Sequence, residues 1–572
     1  MTAVSATAPP SLAPWLTHYP QNVDWNEAFV AKPVYALLDA TVAKYPTKTA
    51  TSFLGSTLSY GEIGRMADRA AKGLQAIGVT KGTKVGLFLP NCPTFIVYYY
   101  AILKAGGTVV NYNPLYTVEE LAYQIRDSDT EIMVTLDLKL LFEKVEALLD
   151  KGALKRAVVG SFPALLPATK SILFKLFKGR ELSRIAASPN AAQIVFESTL
   201  VDNDGKFSPV AVDPMEDIAV LQYTGGTTGT PKGAMLTHAN LTINVQQSIA
   251  WTRNMTRTGA EKILGILPFF HVFAMSGIMN FGVAEAYEII IMPRFVLDDT
   301  MKLIDKAKPT IMPGVPTIFG AIMNHKDAKK LDLSSLKICL SGGAPLPAEI
   351  KKGFEALTGA QVVEAYGLSE TSPGATVNPL DGRAKAGSIG QPLPGTIISI
   401  REVGKPEQEV PLGQPGEICI KGPQVMKGYY KQPQETADTF VGDFFRTGDV
   451  GYMDPQGFIF IVDRIKDMII CSGFKVYPRH LEEKIYEHPA VEEVTVIGIK
   501  DQYRGEAPKA FIKLKAGQTA TADDIRKHLE TRLSKIEMPS EIEFRAELPK
   551  TMIGKLSKKE LKAEEVAKPI TA

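Results

Sequence analysis

Tyr223-Thr-Gly-Gly-Thr-Thr-Gly-Thr-Pro-Lys-Gly-Ala-Met235 follows closely on the apolar run Ile218-Ala-Val-Leu221, which predicts a loop at the end of a buried strand. Glycine tolerates positive φ angles, so consecutive backbone N–H groups of such a loop can converge on an anion. The threonine hydroxyls add further donors, and Lys232 adds a mobile positive charge. The segment therefore predicts a loop that binds a polyphosphate.

The spacing of this loop differs from that of the common NTPase loop, Gly-x-x-x-x-Gly-Lys-Ser/Thr. Here Pro231 precedes the lysine and Gly233 follows it. A flexible connector rich in glycine and threonine is the alternative interpretation. A solvated linker rarely places so many donors directly after a buried strand, which favours the phosphate-binding interpretation.

Length and composition limit the kind of protein this is. A chain of 572 residues is too long for one compact core and predicts at least two domains. Hydrophobic residues make up 45% and charged residues 22%, as in ordinary globular enzymes, and the net charge of +2 gives no reason to expect a nucleic-acid partner. The four scattered cysteines form no metal-ligand spacing or disulfide framework, which favours a cytoplasmic location.

The order of patterns along the chain predicts layers of helices and strands. Helical spacing over 60–74 and 95–104 alternates with an apolar strand run over 84–89. After Gly390, short strands separated by Pro/Gly turns predict an antiparallel β region, and the last hundred or so residues predict a small α+β domain. The Pro/Ala-rich start predicts a mobile N-terminal segment over 1–27.

Four further motifs follow the loop in the order found in one enzyme family. They are Glu364-Ala-Tyr-Gly-Leu-Ser-Glu-Thr371, Arg446-Thr-Gly-Asp449, Asp463-Arg-Ile-Lys466 and Pro549-Lys-Thr-Met-Ile-Gly-Lys-Leu556. With the loop, they resemble the motifs of the acyl-adenylate-forming (ANL) superfamily, which includes acyl-CoA synthetases, luciferases and peptide-synthetase adenylation domains. Residues 366–373 and 467–478 are most similar to the corresponding segments of bacterial medium- and long-chain fatty acid–CoA ligases.

This resemblance implies an α/β fold with two unequal domains. We expect a large AMP-binding domain at residues 28–462, built of layered α/β subdomains and a β-barrel-like part. A hinge linker at 463–467 would contain Lys466 as its pivot. A small, mobile α+β domain at 468–572 would complete the chain.

The resemblance also implies which residues bind ATP and AMP. Tyr366 would pack on adenine, and Asp449 and Arg464 would contact the ribose. Glu370 and Thr228 would hold Mg²⁺, a hard cation that prefers oxygen ligands. Without a ligand, Glu370 and Asp449 would be ordinary helix-start and turn residues. The full predicted nucleotide-binding set is Thr224, Gly225, Gly226, Thr227, Thr228, Gly229, Thr230, Lys232, Gly342, Gly343, Ala344, Glu364, Ala365, Tyr366, Gly367, Leu368, Ser369, Asp449 and Arg464.

Four residues are the predicted catalytic groups: Lys555, His271, Glu370 and Lys232. By resemblance, Lys555 would bridge the substrate carboxylate and the α-phosphate, two anions that otherwise repel each other. His271 would hydrogen-bond the carboxylate, although a histidine in an aromatic stretch is more often a core residue. Phe269, Phe270, Phe273 and residues 314–319 are candidate walls of an apolar acyl pocket, with plain core packing as the alternative.

The implied reaction has two steps. The carboxylate attacks the α-phosphorus of ATP and pyrophosphate leaves; the thiol of coenzyme A then displaces AMP and gives acyl-CoA. Because the two steps place different reactants against one carbonyl carbon, the family rotates its small domain between them. The face that would then meet coenzyme A comprises Ser472, Gly473, Phe474 and Lys475.

We expect a fatty acid as the substrate, because no arginine or lysine can be placed at the far end of the acyl pocket. An aromatic or dicarboxylic acid is an alternative. A second alternative is an acyl-AMP ligase that loads a carrier protein, against which the apparent absence of an insertion near the linker argues. A nucleotide-sensing relative without catalysis is disfavoured because Lys232, Glu370, Asp449 and Lys555 are all present.

Residues 161–185 raise the question of membrane contact. Apolar residues alternate there with Lys170, Lys175, Lys178 and Arg180, as in helices that rest on anionic bilayers. An ordinary packed helix whose lysines face water is the favoured alternative. A cytoplasmic protein with peripheral contact at the inner membrane face, a homodimer, and a lysine acetyltransferase acting on Lys555 are further expectations about partners.

Overall fold

The computed structural model describes residues 3–4, 13–224, 231–472, 474–501, 503–551 and 554–567. Its main chain forms two α/β sheets, one antiparallel β sheet and a small α+β part, and Ala3–Val4 pairs with Phe29–Val30. These layers confirm the predicted α/β architecture. Outside the described residues lie the predicted site residues Gly225, Gly226, Thr227, Thr228, Gly229, Thr230 and Gly473.

The first sheet carries the predicted phosphate loop at one edge. Its strands pair in parallel except for the last two, which form an antiparallel hairpin in which Thr224 faces Lys232. In order across the sheet, the strands are Ile194–Phe196, Arg156–Gly160, Thr130–Leu136, Lys84–Leu87, Thr108–Asn111, Ile218–Thr224 and Lys232–Thr237.

The second sheet presents the ends of several strands to the site. Its central strands are parallel, so their carboxyl ends meet at one edge, where ligands of open α/β sheets bind. In order, the strands are Ser56–Ser59, Thr49–Phe53, Glu288–Ile291, Lys262–Gly265, Ile311–Gly314, Ile338–Gly342, Gln361–Gly367, Gly374–Val377 and Gln391–Pro392.

The antiparallel region predicted after Gly390 is present as one twisted sheet. Its strands are Lys405–Glu409, Ile397–Glu402, Gly416–Lys421, Phe444–Met453, Phe440–Val441 and Ile459–Arg464. Asp463 and Arg464, the first residues of the predicted linker, belong to the last of these strands, and a turn follows at 465–467.

The small C-terminal part has its own sheet and core. Its strands are Ile469–Cys471, Phe474–Val476, Val491–Asp501, Gly505–Leu514 and Glu541–Phe544. Ile469, Val496, Ile512 and Ile525 are buried together in a cluster of this part. A separate core agrees with the predicted small α+β unit.

Helices cover the sheets, and several begin at side-chain caps. Ser59 and Glu62 form a reciprocal capping box at the start of Tyr60–Ala76, as Thr117 and Glu120 do at Val118–Ser128. The other α-helices are Tyr35–Lys44, Pro93–Lys104, Lys139–Asp150, Ala168–Lys178, Glu197–Leu200, His238–Thr252, Val272–Ala274, Phe281–Ala284, Leu297–Ala307, Pro316–Met323, Ala348–Thr358, Pro433–Thr439, Pro478–Tyr486, Ala522–Leu529 and Lys558–Ala567. Met275–Asn280 is a π-helical turn, and short 3₁₀ turns lie at Pro14–His18, Phe162–Leu165, Gly179–Glu181, Ile185–Ala187, Ala191–Gln193 and Ser369–Thr371.

The helix Pro93–Lys104 lies in the main core. All its residues are buried, Tyr98, Tyr99 and Tyr100 among them. Within the part of the chain that the structure describes, no helix has both the length and the apolar character needed to cross a bilayer. The apolar stretch at 95–103 is therefore a core helix, as its length predicts.

The N-terminal prediction is wrong for residues 13–27. Trp15 and Trp25 are buried with their ring centroids 5.5 Å apart, and Trp15 packs in one cluster with Ile398 and Ile418 of the antiparallel sheet. Burial of two indole rings stabilises this segment strongly enough to fix it against the sheet.

The four cysteines are all buried free thiols. Burial raises the pKa of Cys92 to about 12 and that of Cys419 to about 12, and raises the pKa of Cys339 as well. Since the thiolate is the reactive form, the raised pKa values make the thiols of Cys92, Cys339 and Cys419 unreactive.

Candidate active site

The C-terminal part of the chain places Lys555 against the large part. Lys555 lies on a tight turn in which Thr551 N donates to Lys555 O at 2.6 Å and Gly554 N donates to Thr551 O at 2.8 Å. Thr317 Oγ1, at the start of the helix Pro316–Met323, donates to Gly554 O at 2.7 Å. This hydrogen bond attaches the lysine turn, residues 550–551 and 554–556, to the edge of the second sheet.

Gly343 gives the lysine side chain its path. Gly343 has φ +81°, and a Cβ built on it would lie 2.5 Å from Lys555 Cε and 3.0 Å from Lys555 Nζ. A side chain at this position would therefore collide with the lysine. The predicted glycine turn and the predicted lysine meet directly, at the carboxyl end of the strand Ile338–Gly342.

The surroundings make Lys555 a weaker base than usual. Desolvation is the main cause, and the positive charge of Arg464 adds to it, so that the pKa of Lys555 falls to about 8 although Asp449 opposes the shift. Near neutral pH the ammonium form predominates. The site thus holds a cation with few counter-charges, as expected for a position that receives anionic groups.

His271 lies close enough to Lys555 to respond to its charge. Burial, with a smaller contribution from Lys555, lowers the pKa of His271 to about 3, so the ring is neutral at ordinary pH. Its Nδ1 accepts a hydrogen bond from Phe273 N at 3.2 Å. The proton of the neutral ring is therefore on Nε2, where it can be donated to an incoming oxygen.

Asp449, Arg464 and Tyr366 form a second group beside the lysine turn. Asp449 and Arg464 are paired residues of adjacent antiparallel strands, with Arg464 Nε 3.0 Å from Asp449 Oδ1. Tyr366 Oη donates to Asp449 Oδ2 at 2.6 Å. The predicted adenine and ribose residues are thus brought together around one buried carboxylate.

Glu370 lies in the 3₁₀ turn Ser369–Thr371, and its side chain is buried and hydrogen-bonded. Tyr429 Oη donates to Glu370 Oε1 at 2.9 Å, and Met426 N donates to Glu370 O at 2.8 Å. Burial raises the pKa of Glu370. Among the described residues there is no cluster of three or more acidic, histidine or cysteine ligands. A single carboxylate fits Mg²⁺ that is held mainly by nucleotide phosphates and water.

Lys232 begins the strand after the phosphate loop and points at a carboxylate. Its Nζ forms an ion pair with Glu435 and lies 5.5 Å from the centroid of the Tyr429 ring. Tyr429 therefore connects the surroundings of Lys232 with those of Glu370. Phosphate oxygens bound at the loop would compete with Glu435 for the lysine.

Glu364 is buried on the strand that also carries Ala365 and Tyr366. Its carboxylate is buried and accepts a hydrogen bond from Leu346 N at 3.4 Å. Burial raises the pKa of Glu364 to about 7, while the charge of Arg479, a residue of the C-terminal part, lowers it. The Glu364 side chain thus faces the junction between the two parts of the chain.

The candidate acyl-pocket residues divide into two groups. Phe269 and Phe319 are fully buried and pack on Phe95 and Phe354, with ring centroids 5.8 and 5.0 Å apart. The core-packing alternative is therefore correct for these two. Phe273 instead borders the site, because a Cβ on Gly342 would lie 3.1 Å from its ring.

Of the predicted CoA-side residues, Ser472, Phe474 and Lys475 are on a hairpin of the small sheet, away from the lysine turn in sequence. Ser472 has φ +51°, and its N–H donates to Arg504 O at 2.7 Å. Phe474 is exposed. In the turn at 465–467, Asp467 pairs with Lys562 at 2.7 Å, next to the predicted pivot Lys466.

Two comparisons concern the sequence. The family model described as "AMP-binding enzyme" matches residues 38–430, and the model described as "AMP-binding enzyme C-terminal domain" matches residues 480–555. The chain belongs to the AMP-binding enzyme family. It is 43% identical over 556 residues to a long-chain-fatty-acid–CoA ligase of Bacillus subtilis (strain 168), covering 97% of this chain and 98% of that protein. A long-chain-fatty-acid–CoA ligase of Escherichia coli O157:H7 is 34% identical, with 96% and 98% covered.

The fold is also found in solved structures. ATP-bound MatB from Rhodopseudomonas palustris is 29% identical and superposes with a TM-score of 0.81, over 93% of this chain and 98% of that chain. The resemblance to adenylate-forming enzymes that the motifs predicted is therefore confirmed, together with the α/β fold.

Three residues of this AMP-binding enzyme contact the site but lie outside the motifs that predicted it. Thr317 lies in the segment 314–319, which was predicted as a wall of the acyl pocket, but its hydroxyl donates a hydrogen bond to the lysine turn. Tyr429 and Glu435 contact Glu370 and Lys232. These three partners are distant in sequence from the motifs they touch, and one sequence carries no signal that joins them.

Proposed function

We propose that this chain is an AMP-forming fatty acid–CoA ligase. It activates a fatty acid with ATP to acyl-AMP, releasing pyrophosphate, and then transfers the acyl group to coenzyme A with release of AMP. The observation that carries the proposal is the meeting of Lys555, His271 and Gly343 beside the Asp449–Arg464 pair. Residues far apart in sequence thus gather two cations, one neutral donor and one carboxylate.

In the first step, a carboxylate oxygen of the fatty acid attacks the α-phosphorus of ATP, and the bond to the β-phosphate oxygen breaks. Both reactants are anionic, and the Lys555 ammonium would offset their repulsion. His271, with its proton on Nε2, would hold one carboxylate oxygen in line for attack. Asp449 would accept hydrogen bonds from the ribose hydroxyls and so fix the α-phosphate in place.

Mg²⁺ would be held by Glu370, with Thr228 as a further predicted ligand, and would neutralise charge on the ATP phosphates. Lys232 would exchange Glu435 for phosphate oxygens when the loop residues bind the nucleotide. Thr224, at the end of the preceding strand, would support the same loop. The remaining predicted nucleotide-binding residues keep the roles that the family resemblance implies.

In the second step, the thiolate sulfur of coenzyme A attacks the acyl carbonyl carbon, and AMP leaves with the electron pair of the broken bond. We propose that residues 468–572 rotate about the linker 463–467, with Lys466 as pivot, so that the lysine turn withdraws. Ser472, Gly473, Phe474 and Lys475 would then face the thiol. The exposed position of Phe474 supports this, because it leaves an apolar surface free for the pantetheine arm.

We propose a long-chain fatty acid as the substrate, since the full-length relatives bear that name. An aromatic acid, a dicarboxylic acid and a carrier-protein acceptor are the alternatives. Incubation with Mg-ATP, coenzyme A and a panel of short, medium, long, aromatic and dicarboxylic acids tests the proposal. Long-chain acyl-CoA should form fastest; pyrophosphate release without any thioester product would point to a carrier-protein ligase instead.

Three further proposals concern partners and location. Acetylation of Lys555 by a lysine acetyltransferase would remove the cation and stop the first step. We also propose that the protein forms a homodimer. We propose further that it is cytoplasmic and makes reversible contact with the inner face of the membrane. Mass spectrometry of the purified protein, paired with the pyrophosphate assay, tests the acetylation: a fully acetylated Lys555 with unchanged activity would refute it.

A further inference from the structure

One helix of this protein leaves its apolar side chains in solvent. In the helix Ala168–Lys178, none of the residues is buried. The exposed fractions of Ile172, Leu173, Leu176 and Phe177 are 59%, 52%, 73% and 82%. The favoured interpretation of this segment as an ordinary packed helix is therefore wrong, because its large apolar residues face water together with its lysines.

The helix is held to the molecule along its opposite side. The Phe174 ring packs on Phe162 with centroids 5.1 Å apart, and Lys170 Nζ donates to Leu54 O at 2.7 Å. At about 100° per residue, Ile172, Leu173, Leu176 and Phe177 occupy one continuous face. The face is thus presented outward on an anchored helix.

Basic residues border this apolar face. On the same helical projection, Lys175 lies beyond Ala168 on the Ile172 side of the face. Lys170, whose Nζ donates to Leu54 O, lies next to Phe177 on the other side. Lys178 and Arg180 follow at the carboxyl end, where Glu181 is 3.5 Å from Lys178. An apolar face edged by cations matches the layering of an anionic bilayer, with acyl chains below and headgroups beside the helix.

We propose that the face formed by Ile172, Leu173, Leu176 and Phe177, with its bordering lysines, docks reversibly on an anionic lipid bilayer. The helix has 11 residues and is about 16 Å long, too short to cross a membrane, so it lies in the interface plane. A second copy of the chain would oppose lysines with lysines, whereas anionic headgroups complement them. The docking needs none of the catalytic residues; it rests on the membrane contact proposed above and assigns that contact to one surface.

Flotation of the full-length protein with lipid vesicles tests the docking. We expect binding to vesicles of phosphatidylcholine mixed with phosphatidylglycerol, weaker binding to phosphatidylcholine alone, and release at high salt. The double variant Leu176→Gln, Phe177→Gln should bind at least about tenfold less, because two large apolar contacts are lost. Lys175→Gln with Arg180→Gln should lose the preference for anionic lipid.

The matched control is Leu412→Gln, which alters an apolar residue of similar exposure, 52%, in the antiparallel β region. It should float like the wild type, and all variants should keep the wild-type melting temperature. Equal flotation of the wild type and the Leu176, Phe177 variant would overturn the proposal, as would no flotation at all. A wild-type dimer that the same variant converts to monomer in sedimentation analysis would assign the face to a second copy instead.

Discussion

The two sides of the active site are built differently. Around Asp449, the carboxylate is fixed by Arg464 on the neighbouring strand and by Tyr366. The lysine turn reaches the large part through the hydrogen bond from Thr317 to Gly554. Tyr366, Asp449 and Arg464 all precede the proposed pivot Lys466, so their contacts can persist through a domain rotation, whereas the contacts of the lysine turn with the large part can break and re-form. The Asp449 side is therefore suited to both chemical steps and the lysine side to one.

The sharpest test of this difference is Lys555→Ala. Loss of the cation should slow pyrophosphate release by about 10³-fold, because the repulsion between carboxylate and α-phosphate is no longer offset. Thioester formation from supplied acyl-AMP should stay within about twofold of the wild type, since a two-state rotation withdraws Lys555 before that step. Single-turnover assays of each half-reaction give the two rates.

Lys559→Ala is the control for this variant, because Lys559 is an exposed lysine shortly after the turn. It should leave both half-reactions at the wild-type rate. If Lys555→Ala slowed both half-reactions equally, the lysine side would act in both chemical steps. The proposed difference between the two sides of the site would then be wrong.

Asp449→Asn probes the fixed side. Removing the negative charge takes away the ionic partner of Arg464 and weakens the acceptor for the ribose, and we expect both half-reactions to slow by about 10²-fold. The same two assays measure the result. A defect confined to pyrophosphate release would contradict the view that this side is retained.

Thr317→Val tests the attachment of the lysine turn. Valine keeps the shape of threonine but cannot donate to Gly554 O, so the docked position should lose roughly 1 kcal/mol, or about fivefold in the rate of pyrophosphate release. The thioester step should be unaffected. Thr317→Ser, which retains the hydroxyl, should restore most of the rate; failure of serine to do so would remove the hydrogen bond from the explanation.

The smallest effect is a dependence on pH. Because the pKa of Lys555 in the free protein is about 8, half of the lysine is neutral at that pH, and the cationic, active form falls as the pH rises further. The kcat/KM of pyrophosphate release should therefore halve near pH 8 and drop about tenfold per unit above it. Bound ATP raises this pKa, so the fall in kcat should begin at higher pH. Thioester formation should lack this fall.

The sequence predicted those site residues that belong to recognisable motifs. Tyr366, Asp449, Arg464 and Lys555 come together as the family resemblance implies, and the alternation of patterns predicted the α/β layers. Their convergence depends on backbone geometry, above all on the glycine at 343. A single sequence shows such a glycine within a recognisable motif.

What the sequence left out depends on packing between distant segments. The segments 95–104 and 168–178 are both apolar, yet one is wholly buried and the other exposed, because only the first has a surface to cover it. Trp15 and Trp25 stand in a stretch whose composition indicates mobility, and a distant sheet gives them a place. Thr317 likewise has a role only through a turn more than two hundred residues later in the chain.

The buried thiols have a practical consequence for measuring the motion itself. Since all four native cysteines are buried, maleimide dyes should leave them unlabelled in the folded protein. One reporter cysteine on the surface of each part of the chain could then carry a donor and an acceptor fluorophore without removal of any native residue. Energy transfer in single molecules would follow the opening and closing of the enzyme as ATP, fatty acid and coenzyme A are added in turn.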